Sequence, residues 1–290
     1  MAFLAPHFEE GRVRMLGIPS LEDGLDIVIW EEHWDPYVTL LNSRLFASSA
    51  SITRRSKPRL IIDEEIRDFI SRGLANAGFE TIGPTPEVEL IRQIKSPAEV
   101  EILRAVNTGT VAAVRATRPC LLPGLTENEV RDILDQVLLS VGFGLFFNIV
   151  LFEEDGALPH GGFIVGLRKE KLRVWDIVLE AQSAAAAALK PGNTAASVDI
   201  AARSVIQSAG YGERFTHRLG HGIGIKAHES PYLNKWNRAV RLQPGMTFTN
   251  EPGIYIEGKF GVRHEDVYLV KQHGQAELLT GGRAVSPYDP

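Results

Sequence analysis

Two stretches of this chain concentrate side chains able to do chemistry. The first runs Thr216-His217-Arg218-Leu219-Gly220-His221-Gly222-Ile223-Gly224 and continues to His228-Glu229-Ser230-Pro231. The second runs Asn250-Glu251-Pro252-Gly253-Ile254-Tyr255-Ile256 and is followed by Gly261-Val262-Arg263-His264-Glu265-Asp266. Neutral imidazoles supply nitrogen ligands and strand-borne carboxylates supply oxygen ligands. Gathered in this way they are the donor set of a divalent-metal hydrolase.

The elements around these motifs must place them. After Gly212 the sequence predicts a His-rich loop leading into two strands, Met246–Ile256 and Val262–Val270. A turn at Gly258-Lys259-Phe260-Gly261 joins them, and they carry Glu251 and Glu265. Upstream, Ser96-Pro97-Ala98-Glu99 is a capping box that opens a long helix, and Thr126-Glu127-Asn128-Glu129 opens another that ends near Gly142. Before residue 94 the pattern is α/β. Leu25–Trp30 and Arg59–Ile62 read as strands, with Asp63 placed to cap a helix that Gly78 ends. Ser48–Ser56 between them is polar and loop-like. This first segment is short for an independent α/β domain, so the division expected is a shortened domain at 1–94 and a larger one at 95–290.

An internal repeat runs through the second part. Pro123-Gly124-x-Thr126-x-x-x-Val130, continuing to Gly142-Phe143-Gly144, recurs as Pro191-Gly192-x-Thr194-x-x-x-Val198, continuing to Gly210-Tyr211-Gly212. Every copied position is displaced by the same interval, which marks a duplicated helix–turn–helix–strand unit and predicts two halves about a pseudo-two-fold axis. By that symmetry the first half should also lead through a histidine loop into a carboxylate-bearing strand pair. It begins to do so, with a strand expected at Phe147–Phe152 and a loop at Ala157-Leu158-Pro159-His160-Gly161-Gly162. The strand pair is then missing, because only Lys169 to Val174 separate that loop from the next helix. Asp176–Glu180 cannot replace it, since it runs into the alanines 184–188 and alanine favours helix.

Bulk properties bound the rest. The chain has 290 residues, and its 44% hydrophobic content is enough for a real core. With 31 basic against 36 acidic residues and no dense basic run, a nucleic-acid surface is not expected. Cys120 stands alone between Pro119 and Leu121, so no internal disulfide forms, and it reads as a buried small apolar residue. Neither a signal pattern nor an apolar stretch of the ~20 residues needed to span a bilayer is seen, so a soluble cytoplasmic protein is expected. Charged runs such as Glu64-Glu65 and Arg168–Lys171 read as solvated faces.

These motifs resemble those of the pita-bread metallopeptidases, the M24 family of Xaa-Pro dipeptidases, aminopeptidase P, methionine aminopeptidase and creatinase. Phe215–Gly222 together with His228-Glu229-Ser230-Pro231 looks most like fungal prolidase-like members, and the resemblance covers most of 95–290. It implies an α+β pita-bread fold with duplicated halves, incomplete in the first half and preceded by the shortened α/β domain. It also implies two divalent ions held by two aspartates, one histidine and two glutamates. Carried over, the histidine is His221 and the glutamates are Glu251 and Glu265. The two aspartates belong to the segment absent here, which is the gap the repeat also exposes. The three remaining ligands suit a single ion (Mn, Co or Zn) better than a pair.

In the family scheme Glu251 is the general base beside a metal-bound water, Glu265 bridges the ions, and His160, His217 and His228 line the substrate pocket. Pro159-His160-Gly161 taken alone would equally suit a surface loop. Arg263 lies two residues from Glu265 on the same strand face and can orient it, or it is a solvated strand-edge arginine. His264 faces the other way. The implied partners are short peptides with proline second and, for assembly, a second copy of the chain. Two other readings stay open: a metal-free hydrolase in the manner of creatinase with His160 as proton shuttle, and a non-catalytic or incomplete family member.

Overall fold

The computed structural model describes residues 2–16, 26–47, 57–145, 148–152, 157 and 169–286. These divide into two compact units, Met1–Glu89 and Leu90–Pro290. The boundary falls a few residues before the position read from the sequence.

The first unit contains β1 (Ala2–Pro6), α1 (Glu10–Met15), β2 (Asp26–Trp30), α2 (Pro36–Leu41), α3 (Arg44–Ala47), β3 (Arg59–Ile61), α4 (Asp68–Ala77) and β4 (Glu80–Ile82). β1 pairs in parallel with β2, and β3 with β4. α2 is capped by Asp35, whose carboxylate accepts from the amides of Tyr37 and Val38, with Pro36 at the first helical position. Both expected strands are present. The expected helix start at Asp63 is not. Asp63 accepts from the Glu65 amide and closes a local turn, while the helix begins at Asp68. An Asx turn satisfies the same side-chain oxygen without needing a helix behind it.

α5 (Pro86–Gln93) leads into the second unit. Next come α6 (Pro97–Thr117), α7 (Glu127–Ser140), α8 (Lys169–Ala188) and α9 (Ala195–Ser208). Both expected capping boxes form, at Ser96/Glu99 and Thr126/Glu129. The repeat is visible in the backbone as well. Gly124 and Gly192 have φ of 99° and 85°, Gly142 and Gly210 have 86° and 88°, and α7 and α9 are each 14 residues long. α8 covers 176–180 and confirms that this stretch is helix. It begins at Lys169, which leaves still less chain for a strand pair before it. Residues 148–152 form no strand. An extended segment needs a neighbouring ladder for its amides and carbonyls, and none is supplied there among the described residues. Cys120 is exposed, not buried, because it ends a short turn after α6 beyond the reach of the core.

The remaining strands are β5 (Gly220–Gly222), β6 (Glu229–Leu233), β7 (Thr247–Asn250), β8 (Gly253–Ile256), β9 (Phe260–Arg263), β10 (Asp266–Leu269) and β11 (Glu277–Leu278). An antiparallel sheet runs in the order β11-β10-β7-β5-β6, and β8 pairs with β9 as a hairpin. The core is a helix layer on this sheet. Val174, Val178, Ala181 and Ala185 line one face of α8 at helical spacing, and Val198, Ala202 and Ile206 do the same on α9. They pack with Leu219, Leu233, Met246, Phe248 and Ile254. Alanines on α8 allow close approach, and the glutamine, threonines and carboxylates behind the site are anchored by this layer.

Candidate active site

β5 explains why His221 sits between glycines. A Cβ on Gly220 would lie 2.0 Å from the Thr249 carbonyl oxygen, and one on Gly222 would lie 2.7 Å from that of Ser230. Backbone from neighbouring strands therefore closes on both sides, and His221 is the residue of the three with a side chain to project. It is buried, its amide donates to Thr249 Oγ1 at 3.0 Å, and Nδ1 lies 3.0 Å from the Gly222 carbonyl oxygen.

The two long strands expected at 246–256 and 262–270 are each broken in two. The ladder pairs Asn250 with Asp266 and Gly253 with Arg263, leaving Glu251-Pro252 and His264-Glu265 outside it. Pro252 has no amide to donate, so an interruption here is expected. Both glutamates lie in this gap, freed from strict alternation.

His221 Nε2 meets Glu251 Oε1 at 3.2 Å, and Thr249 Oγ1 donates to the same oxygen at 3.2 Å. The other oxygen, Oε2, faces Arg263 Nη2 at 3.3 Å. Burial alone would raise the Glu251 pKa, but the His221 contact and then Arg263 outweigh it and hold the carboxylate below its ordinary value. Glu265 keeps an exposed surface, yet the dense protein around it, followed by the Glu251 charge, pushes its pKa up. The arginine expected to orient Glu265 makes its ion pair with Glu251.

His217 Nδ1 lies 2.6 Å from the Arg218 carbonyl oxygen, and Nε2 meets the Tyr255 hydroxyl at 2.8 Å. Burial, then Arg263, brings its pKa down to about 4, so it is a neutral imidazole near pH 7. Tyr255 is pushed up to about 12 by burial. The His228 ring lies over that of His221, with centroids 4.3 Å apart. His264 is buried against Trp175. His160 lies outside the described residues.

Supporting residues emerge that the motifs did not reveal. Asp199 and Arg203 on α9 pair at 2.5 and 3.2 Å; Asp199 accepts from the Leu219 amide, and Arg203 donates to the carbonyls of Phe215 and His217. The i, i+4 spacing was readable, but its partners lie far along the chain. Lys95 forms a buried ion pair with Glu229 of the first motif. Behind the sheet Gln182, Asn250, Asp266, Thr280 and Arg283 interlock and fix the strand ends from which the glutamates project.

Residues 162–272 match the model of metallopeptidase family M24. An uncharacterized peptidase of Schizosaccharomyces pombe is 39% identical over 99% of this chain and 68% of its own length. The chain belongs to the M24 family. The Xaa-Pro dipeptidase from Bacillus anthracis superposes with a TM-score of 0.78 at 27% identity, covering 96% of this chain and 83% of the other. The prolidase from Pyrococcus furiosus gives 0.76 at 26% identity, covering 96% and 86%. The fold of this M24 chain is the pita bread, with its first half incomplete. The S. pombe alignment extends over 326 residues although this chain has 290, so that relative carries stretches with no counterpart here.

M24 peptidases are generally dependent on divalent metal. His221 and Glu251 come together, but Arg263 covers the second Glu251 oxygen. Among the described residues no group of three or more histidines, cysteines, aspartates or glutamates is placed to hold an ion. The described donor set does not fit a metal centre.

Proposed function

We propose that this chain is a prolidase-like M24 member that keeps the peptide-facing side of its site but hydrolyses Xaa-Pro peptides far more slowly than a complete member. The carrying observation is that both Glu251 oxygens are engaged, one by His221 and Thr249 and the other by Arg263. A general base works best with a pKa near the working pH, and Glu251 is held below its ordinary value by His221 and Arg263. His217, His228 and His160 are read as the peptide-facing histidines, with the Tyr255 hydroxyl against His217 Nε2 at 2.8 Å placed beside them.

The substrate class follows from the names of the B. anthracis and P. furiosus relatives. A homodimer in the cytoplasm is part of the same reading. A non-catalytic peptide-binding member is the second reading, favoured by the same engaged carboxylate. The test is turnover of an Xaa-Pro dipeptide with Mn2+ or chelator, in the native chain and in Glu251→Ala. Slow turnover, more than about a thousandfold below the 1–1000 s−1 of ordinary enzymes, supports the proposal. Turnover within that ordinary range would overturn it, and zero turnover with retained peptide binding selects the second reading.

A further inference from the structure

We propose that the Arg263 guanidinium is a resident cation of this site, standing in for the charge of a divalent ion and closing Glu251 to one. The inference rests on reading the site as a metallopeptidase half-site. Arg263 is the last residue of β9, held by its pairing with Gly253 at the edge of the ladder gap. From there Nη2 reaches Glu251 Oε2 at 3.3 Å and His217 Nε2 at 3.4 Å. Its positive charge also bears on Tyr255 and Glu265, so one side chain influences all four polar groups around it.

The Arg263 side chain is only 25% exposed and that of Glu251 9%, so solvent screens their interaction weakly. The guanidinium Nε is buried and meets no acceptor among the described residues. A divalent ion on Glu251 Oε1, the oxygen already shared by His221 and Thr249, would lie within a few ångströms of this guanidinium, two cations sharing one carboxylate. Like-charge repulsion at that separation disfavours the ion. Arg263 thus supplies a covalently held positive charge on the Oε2 side of Glu251.

Titration with MnCl2, followed by calorimetry and thermal unfolding, tests this without reading turnover. The native chain and Arg263→Lys are expected to show no saturable binding up to about 1 mM and a Tm change below about 1 °C. Arg263→Gln is expected to bind one Mn2+ at least tenfold more tightly than the native chain, with Tm rising by roughly 3–8 °C at saturation. Adding Glu251→Gln to it should abolish the gain. Saturable binding by the native chain as tight as by Arg263→Gln would overturn the inference, as would a folded Arg263→Gln that gains nothing. Should Arg263→Gln not fold, Arg263→Met serves at the same position, and native binding decides in any case. Tight native Mn2+ binding together with slow Xaa-Pro turnover would overturn this inference and leave the slow-peptidase reading intact.

Discussion

Helices α7 and α9 begin with the same Thr cap, have the same length and end at glycines of matching φ. Their surroundings differ. α9 buries Ala195, Ala196, Val198, Asp199, Ala202 and Ile206, whereas α7 buries Leu138 alone. Around α7, Leu121, Leu122, Leu139, Val141 and Leu145 stay exposed. The difference is the sheet: α9 packs on β6, and among the described residues the first half supplies no matching strand pair for α7 to cover. Local sequence rules build both helices equally well, but only a partner surface turns an amphipathic helix into core. The same contrast appears in charge. Asp199 and Arg203 form a buried clamp under the His217 loop, while the equivalent positions hold Arg131 and Asp135, which bond instead to Asn128 and Asn148.

The clamp gives the largest expected effect. Asp199→Ala should cost about 3–5 kcal/mol, since it strands the Arg203 charge and the Leu219 amide, while Arg131→Ala should cost less than about 1 kcal/mol. Denaturant unfolding of the two variants measures both; equal costs would break the comparison. The buried histidine of the intact half comes next. His264 has a pKa lowered from 6.5 to about 4 by burial. The unfolded chain therefore takes up the proton first, so stability is full above about pH 6.5 and falls as pH drops towards 4. The loss is about 3 kcal/mol at most, and His264→Gln should flatten that slope. A pH series of unfolding midpoints for both proteins checks this. The smallest effect compares matched valines: Val198→Ala should cost about 2 kcal/mol and the half-buried Val130→Ala under about 1 kcal/mol.

Much of this was readable from residue types. Capping boxes, the repeat and the helical reading of 176–180 rest on local chemistry, and local chemistry survives the loss of distant partners. The strand expected at 147–152 does not, because a strand's hydrogen bonds are non-local. The breaks at Glu251-Pro252 and His264-Glu265 were foreshadowed by Pro252 but not located. That matters at the site: two-residue alternation places Arg263 with Glu265, and the broken ladder turns Arg263 to Glu251 instead. His221 was legible because its glycines must be glycines. Asp199, Arg203 and Lys95 were not, since their meaning lies in partners distant in sequence.

The central claim is that the second half carries half of an M24 site and that the absent strand pair is what separates it from efficient hydrolysis. The most direct test inserts, between Arg168 and Lys169, the aspartate-bearing strand pair of a complete M24 prolidase and measures Mn2+-dependent Xaa-Pro hydrolysis against the native chain. The account predicts a gain of at least about a hundredfold, with Glu251→Ala then abolishing it. A folded chimera no faster than the native chain, or a native chain already turning over as fast as the prolidase donor, would contradict it.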